Sequence, residues 1–157
     1  KIYKNKKINS TILRIFNVYG PGQNLENSNQ GMLSIYLQQI FKNKKVIIKG
    51  SGGRVRDFIY IDDLVNIVLK IIGNKKCFNQ TLNLGSGKKY KVSEIISKIK
   101  KVSKINFTTI YTKNTPLDQF YIYPNVNKIK KLLKVKMQNS IDVGLYKFVI
   151  FLKNIYK

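Results

Sequence analysis

Three observations predict an α/β fold. Short β-branched runs alternate with helically periodic stretches, glycine turns close the runs, and polar residues stand where helices would begin. Residues 11–18, TILRIFNV, read as a buried strand ended by the turn Tyr19-Gly20-Pro21-Gly22. Residues 23–30 are polar and predict a loop. Residues 32–41 carry apolar side chains at 33, 36, 37, 40 and 41, the spacing of one helix face. A short strand at 46–48 ends in Gly50-Ser51-Gly52-Gly53, and residues 57–61 form a second strand-like run. Asp62 stands as the N-cap of a helix through Ile72, with Gly73 as its stop. Residues 81–84 read as a strand closed by Gly85-Ser86-Gly87. A helix from Ser93 to about Val102 puts Ile95, Ile96 and Ile99 on one face, and residues 106–111 read as a strand. Asn125 and Ser140 are positioned to cap helices running to Leu133 and towards Tyr156.

A chain of 157 residues can bury one real core. No stretch approaches the ~18 consecutive apolar residues of a membrane span, and the polar start at residues 1–7 gives no expectation of a secretory leader. The formal net charge is +23, from 30 Lys and Arg against 7 Asp and Glu. Charge of that size raises a polyanion partner as one reading. However, only Arg14, Arg54 and Arg56 are arginine, and the lysines are scattered among Asn and Ile, which favours compositional bias over a specific nucleic-acid site. The chain contains no histidine, which excludes His-dependent triads and His-ligated metal centres. Cys77 is its single cysteine, so no internal disulfide forms and a reduced, cytoplasmic setting is expected.

Four blocks, in order, resemble the NAD-dependent sugar-nucleotide epimerases and dehydratases of the extended short-chain dehydrogenase/reductase family. They are LRIFNVYGPGQ from Leu13, GSGGRVRDFIYIDDLVNIVLKII from Gly50, NLGSGKKYKVSEIISKI from Asn83, and TPLDQFYIYPNVNKIKKLL from Thr115. The resemblance implies the last strands of a Rossmann-type parallel sheet plus the small mixed α/β substrate-binding subdomain. On that footing residues 1–157 are the C-terminal portion of one domain. Its dinucleotide-binding half, the Gly-rich NAD turn and the catalytic Tyr-x-x-x-Lys would lie outside the chain. Tyr3 and Lys7 do spell Tyr-x-x-x-Lys, but too close to the first strand to match the family's pair. Alone, such a chain is expected to expose an apolar sheet edge, and a homodimer is expected only for the full-length enzyme.

The same resemblance implies residue roles. NAD would be the cofactor, with Phe16 beside its nicotinamide, and a nucleotide sugar the substrate. Asn17 would contact the sugar nucleotide near its diphosphate, or else hold the turn. Met32 and Leu33 would open a helix covering the nucleotide, and the strand through Ile48 and Lys49 would meet the base through its backbone. Arg56 would grip the diphosphate bidentately, or else pair with Asp57 or Asp62. Arg54 would contact the diphosphate or, as the favoured reading, be a solvated loop charge, and Arg14 reads as structural. Asp118 would meet ribose or order its loop, with Leu117 where the family has Gly. The implied function is the nucleotide-sugar-binding half of a 4-epimerase serving polysaccharide precursor synthesis. A 4,6-dehydratase fragment, an inactive remnant and a basic polyanion-binding protein are the alternatives.

Overall fold

The computed structural model describes residues 8–25, 31–114 and 118–156. Tyr3, Lys7, Leu117 and residues 26–30 of the expected loop lie outside the described residues. In chain order the elements are β1 (Thr11–Ile15), β2 (Asn17–Tyr19), α1 (Met32–Asn43), β3 (Lys45–Lys49), β4 (Val55–Arg56) and β5 (Phe58–Tyr60). There follow α2 (Ile61–Ile71), a 3₁₀ turn (Lys75–Cys77), β6 (Gln80–Leu84), β7 (Tyr90–Lys91), α3 (Val92–Ser103), β8 (Thr108–Thr112), β9 (Tyr121–Ile122), α4 (Asn127–Leu133) and α5 (Ile141–Ile155).

The α/β class is as the sequence predicts, and most of its strand pairs are parallel. β1 lies along β6, β2 along β5 and β3 along β8. β4 is the centre of a small mixed sheet, antiparallel to β7 and parallel to β9. The predicted single strand over 11–18 is therefore two. The break falls at Phe16, whose N–H still donates to the Leu84 carbonyl at 2.9 Å before the chain changes partner. Nor is that strand fully buried. Ile12 and Ile15 are 59% and 49% exposed and Arg14 is exposed, because β1 is paired only with β6 among the described residues. The run at 57–61 is also divided, at Asp57.

Helix starts follow backbone geometry more closely than the cap residues read from the sequence. α2 starts at Ile61 after Tyr60, so Asp62 is not its N-cap. Asp62 and Asp63 sit in its first turn, where carboxylates favour the dipole. Asp63 goes further and accepts the Gln138 and Asn139 N–H groups at 3.1 and 3.0 Å. α3 begins before Ser93, with the Lys91 N–H donating to Glu94 Oε2 at 2.9 Å. Asn125 acts one residue early, its side chain accepting the Asn127 N–H at 2.9 Å. Ser140 caps α5 as predicted, accepting from Val143 N–H at 3.3 Å. The 106–111 strand lies two residues later than its pattern, as β8.

Two apolar clusters hold the layers. Leu33, Leu37 and Ile40 of α1 join Val46 and Ile48 of β3, Ile95 and Ile99 of α3, and Leu145, Phe148 and Leu152 of α5. Ile59, Leu64, Ile67, Leu82, Leu84 and Ile129 form the other. Each fully buried branched side chain contributes roughly 1.5–3 kcal/mol. Leu69 of α2 and Ile72 just past its end are 63% and 69% exposed, so the α2 segment and β1 both present apolar side chains to solvent. Exposed apolar patches on soluble proteins mark contact surfaces.

The packing of α5 depends on Gly144. A Cβ there would meet the Tyr60 ring at 2.9 Å and collide with the Tyr19 hydroxyl. Tyr19 itself is buried, and that burial raises its phenol pKa. Gly144→Ala gains ~1 kcal/mol of helix propensity but forces a shift costing ~1–3 kcal/mol. The variant is expected to melt below the wild type, by roughly 2–4 °C for each kcal/mol lost, as read by circular dichroism.

Candidate functional site

Asp57 lies between β4 and β5 and has no exposed surface. Its carboxylate accepts the Ser86 N–H at 2.7 Å, the Ser86 hydroxyl at 3.0 Å and the Lys88 N–H at 3.0 Å. Its main-chain carbonyl accepts the Asn17 side-chain amide at 2.8 Å. Burial pushes its carboxyl above the ordinary carboxylate range, while the donors from Ser86 and the following turn pull it back. One residue thus ties the start of β2, the β4–β5 junction and the turn after β6. The turn approaches so closely that a Cβ on Gly85 would stand 2.7 Å from Asp57 Oδ1.

β4 carries Arg56, and Arg54 immediately precedes it, so the two guanidiniums leave the strand on the same side. Both meet Asp118. Arg56 Nη2 is 2.9 Å from Asp118 Oδ1, and Arg54 Nη1 donates to Asp118 Oδ2. Arg56 Nη1 also donates to the Val55 and Phe120 carbonyls at 2.9 and 3.1 Å. Burial pushes the Arg56 guanidinium below its ordinary value and the Asp118 carboxylate opposes that. The nearby Tyr36 hydroxyl is raised by its own burial, with Arg54 and Arg56 pulling it down.

A cavity of about 430 Å³ lies against this cluster. Met32, Tyr36 and Gln39 of α1 form one wall, Ile47 and Lys49 of β3 another, and Arg54 closes it. The β3 ladder gives the far wall its polarity. β8 takes the Lys44 carbonyl, through the Thr108 N–H at 3.0 Å, and Thr112 takes the Gly50 N–H at 2.9 Å. In a parallel ladder alternate residues bond to alternate sides, so the peptide groups of Ile47 and Lys49 face the opposite edge. There the Ile47 N–H meets the Gln39 side chain at 2.9 Å.

Of the residues named from the sequence, Met32 and Lys49 come together at this cavity. Leu33 and Ile48 do not reach it with their side chains, because both are packed in the core at 1% and 0% exposure. Asn17 spends its amide on the Asp57 carbonyl. Phe16 is half-buried at the β1–β2 break. Arg56 pairs with Asp118, neither with Asp57 nor with Asp62, and Asp118 orders its segment by holding both arginines. Arg54 corrects the reading of a solvated loop charge, since it is 8% exposed. Its one sequence signal was position: it stands two residues before Arg56 on an extended segment, hence on the same side.

The chain belongs to the NAD dependent epimerase/dehydratase family, whose family model matches residues 1–85. A provisionally named UDP-glucose 4-epimerase of Methanocaldococcus jannaschii is 31% identical over 147 residues, covering 94% of this chain and 47% of its own length. The solved UDP-glucuronic acid 4-epimerase of Bacillus cereus, in complex with UDP-glucuronic acid and NAD, is 28% identical with a TM-score of 0.86. That match covers 98% of this chain and 48% of the other. The Thermotoga maritima UDP-glucose 4-epimerase, solved with UDP-glucose, shares the fold at a TM-score of 0.91, covering 99% of this chain and 49% of the other. The chain spans about half the length of these relatives.

The described residues do not fit a dinucleotide pyrophosphate. That group needs a glycine turn between a strand and a helix N-terminus. Gly50–Gly53 leads into the two-residue β4 rather than a helix. The Gly85–Gly87 turn offers converging N–H groups, but those of Ser86 and Lys88 are already held by Asp57. No hydride-transfer step is assigned to these residues. Among the described residues no helix is long and apolar enough to cross a membrane, and no group of His, Cys, Asp or Glu could hold a metal ion.

Asp57→Asn tests the hub. The amide turns a donor towards the N–H groups of Ser86 and Lys88, leaving a buried donor unmet at ~1–3 kcal/mol. The variant is expected to melt lower than the wild type, and an unchanged melting temperature would show that the turn does not depend on the carboxylate.

Proposed function

We propose that the chain supplies the nucleotide-sugar-binding part of an NAD-dependent sugar-nucleotide 4-epimerase, as the C-terminal portion of one epimerase/dehydratase domain. The observation that carries this reading is the cavity between α1 and β3. An apolar helix face, a strand edge and buried positive charge converge there around about 430 Å³, a volume within the range of small-ligand pockets.

Each wall suits one part of a nucleoside diphosphate sugar. Met32 and Ile47 present apolar surface to the flat face of a base. The outer edge of β3, whose Ile47 N–H is held by Gln39, presents its remaining N–H and C=O groups to the base's polar rim, where pairing satisfies both partners. The positive charge of Lys49 and Arg54 favours a diphosphate at the cavity's other end. These residues bind and orient, and the part that binds NAD belongs to the remainder of the proposed domain. The apolar side chains on β1 and α2 give that remainder a surface to pack against.

Isothermal titration distinguishes this from binding driven by net charge alone. UDP-glucose is expected to bind one saturable site and to retain measurable affinity at ~1 M salt, where charges are screened beyond about 3 Å. Equal binding of unrelated polyanions that disappears at high salt would contradict the proposal and favour a polyanion-binding protein.

A further inference from the structure

The small sheet β7–β4–β9 has two faces. Arg54 and Arg56 lie on the one beside the cavity between α1 and β3, and Val55 points the other way. On that other face Val55 is flanked directly by Lys91 of β7 and by Tyr121 of β9. Two residues along, Lys89 and Tyr123 meet, with the Lys89 ammonium 3.9 Å from the centre of the Tyr123 ring. These side chains line a cavity of about 200 Å³. The Phe120 and Tyr121 rings pack edge to face at 4.8 Å. Phe120 and Tyr111 continue the surface over Gly53 and Gly52, where an added Cβ would stand 3.2 Å from each ring.

Among the described residues the exposed aromatic side chains are Tyr111, Phe120, Tyr121, Tyr123 and Tyr146, and only Tyr146, on α5, stands apart from this surface. Lysines are spread over the whole chain and single out no face. Exposed rings gathered on one face do, and such patches mark contact surfaces. The pattern also sets the partner's chemistry. Each row across the sheet offers one ring and one ammonium, and the rows repeat every two residues, about 6.6 Å. That suits a polymer with one flat ring and one negative charge in each unit. Glu94, the acid at this surface, accepts the Lys91 main-chain N–H at 2.9 Å. Among the described residues no ion pair holds Lys89 or Lys91.

We propose that this face is a docking surface for single-stranded nucleic acid, separate from the nucleotide-sugar cavity. Bases stack on Tyr121 and Tyr123, and Phe120 and Tyr111 extend the platform. The base at Tyr123 takes the place now held by the Lys89 ammonium, which turns with Lys91 to the phosphates. A duplex keeps its base faces stacked inside, so it can use the lysines but not the rings. The net charge of +23 draws a polyanion in from a distance, and the rings decide where it settles.

Fluorescence anisotropy tests this with the full chain and a labelled oligothymidylate of roughly 12 nucleotides, beside a duplex carrying the same number of phosphates. The single strand is expected to bind more tightly than the duplex at one ionic strength. Tyr121 is 64% exposed, so Tyr121→Ala leaves the core intact. It is expected to weaken single-strand binding by roughly 5- to 150-fold, the range for one stacked base, while Tyr146→Ala stays within about twofold of wild type. Lys91→Ala is expected to reduce the slope of log affinity against log salt by about 0.7. Saturating UDP-glucose is expected to leave the strand bound. Equal affinity for duplex and single strand, or equal effects of Tyr121→Ala and Tyr146→Ala, would assign the binding to net charge and overturn the proposal. Displacement by UDP-glucose, or no binding by the wild type, would overturn it as well. None of these results depends on whether the other cavity takes a nucleotide sugar, which the titration with UDP-glucose decides separately.

Discussion

The buried carboxylate of Asp57 is the constraint on which the site depends. Three donors converge on it from Ser86 and Lys88, and its own carbonyl holds Asn17. A charge without exposed surface is tolerable only when hydrogen bonds replace its hydration. That requirement fixes the turn after β6 against the β4–β5 junction. Once the junction is fixed, β4 can face only one way, and Arg56 and the preceding Arg54 are aimed together at Asp118.

The arginine pair is the second link. Removing one partner of a buried ion pair is far costlier than the pair's net contribution, because the remaining charge is stranded. Here a single carboxylate serves two guanidiniums, and one of them, Arg56, takes main-chain carbonyls as well. The cluster is therefore stiff at Arg56 and incomplete at Arg54. The core beneath is ordinary close packing of α1, α3 and α5 against β3, and it holds the cavity walls apart without taking part in recognition.

Much of the fold was legible in the sequence. The apolar spacing at 33, 36, 37 and 40 gives the buried face of α1, and Ser140 marks the start of α5. Hydrophobic periodicity is local and survives reading one residue at a time. The break at Phe16 was not legible, because it arises from a change of strand partner, and pairing is a long-range property. Asp62 has the chemistry of an N-cap but lies one residue too late, which only the backbone path decides. β7 and β9 are two residues each, too short for any period to show. At the site, motif resemblance found Arg56, Asp118, Met32 and Lys49 but not their pairing. Arg54 was placed behind Arg56 because a charge after a glycine-rich loop reads as solvated. Its burial comes from the Asp118 segment folding back over it from sixty-odd positions away.

The central claim is that the cavity between α1 and β3 receives a nucleoside diphosphate sugar. A crystal structure of the protein with UDP-glucose tests it directly. The account predicts the base between Met32 and the β3 edge, with the diphosphate at the positively charged end of the cavity. A nucleotide seated elsewhere on the chain would contradict it.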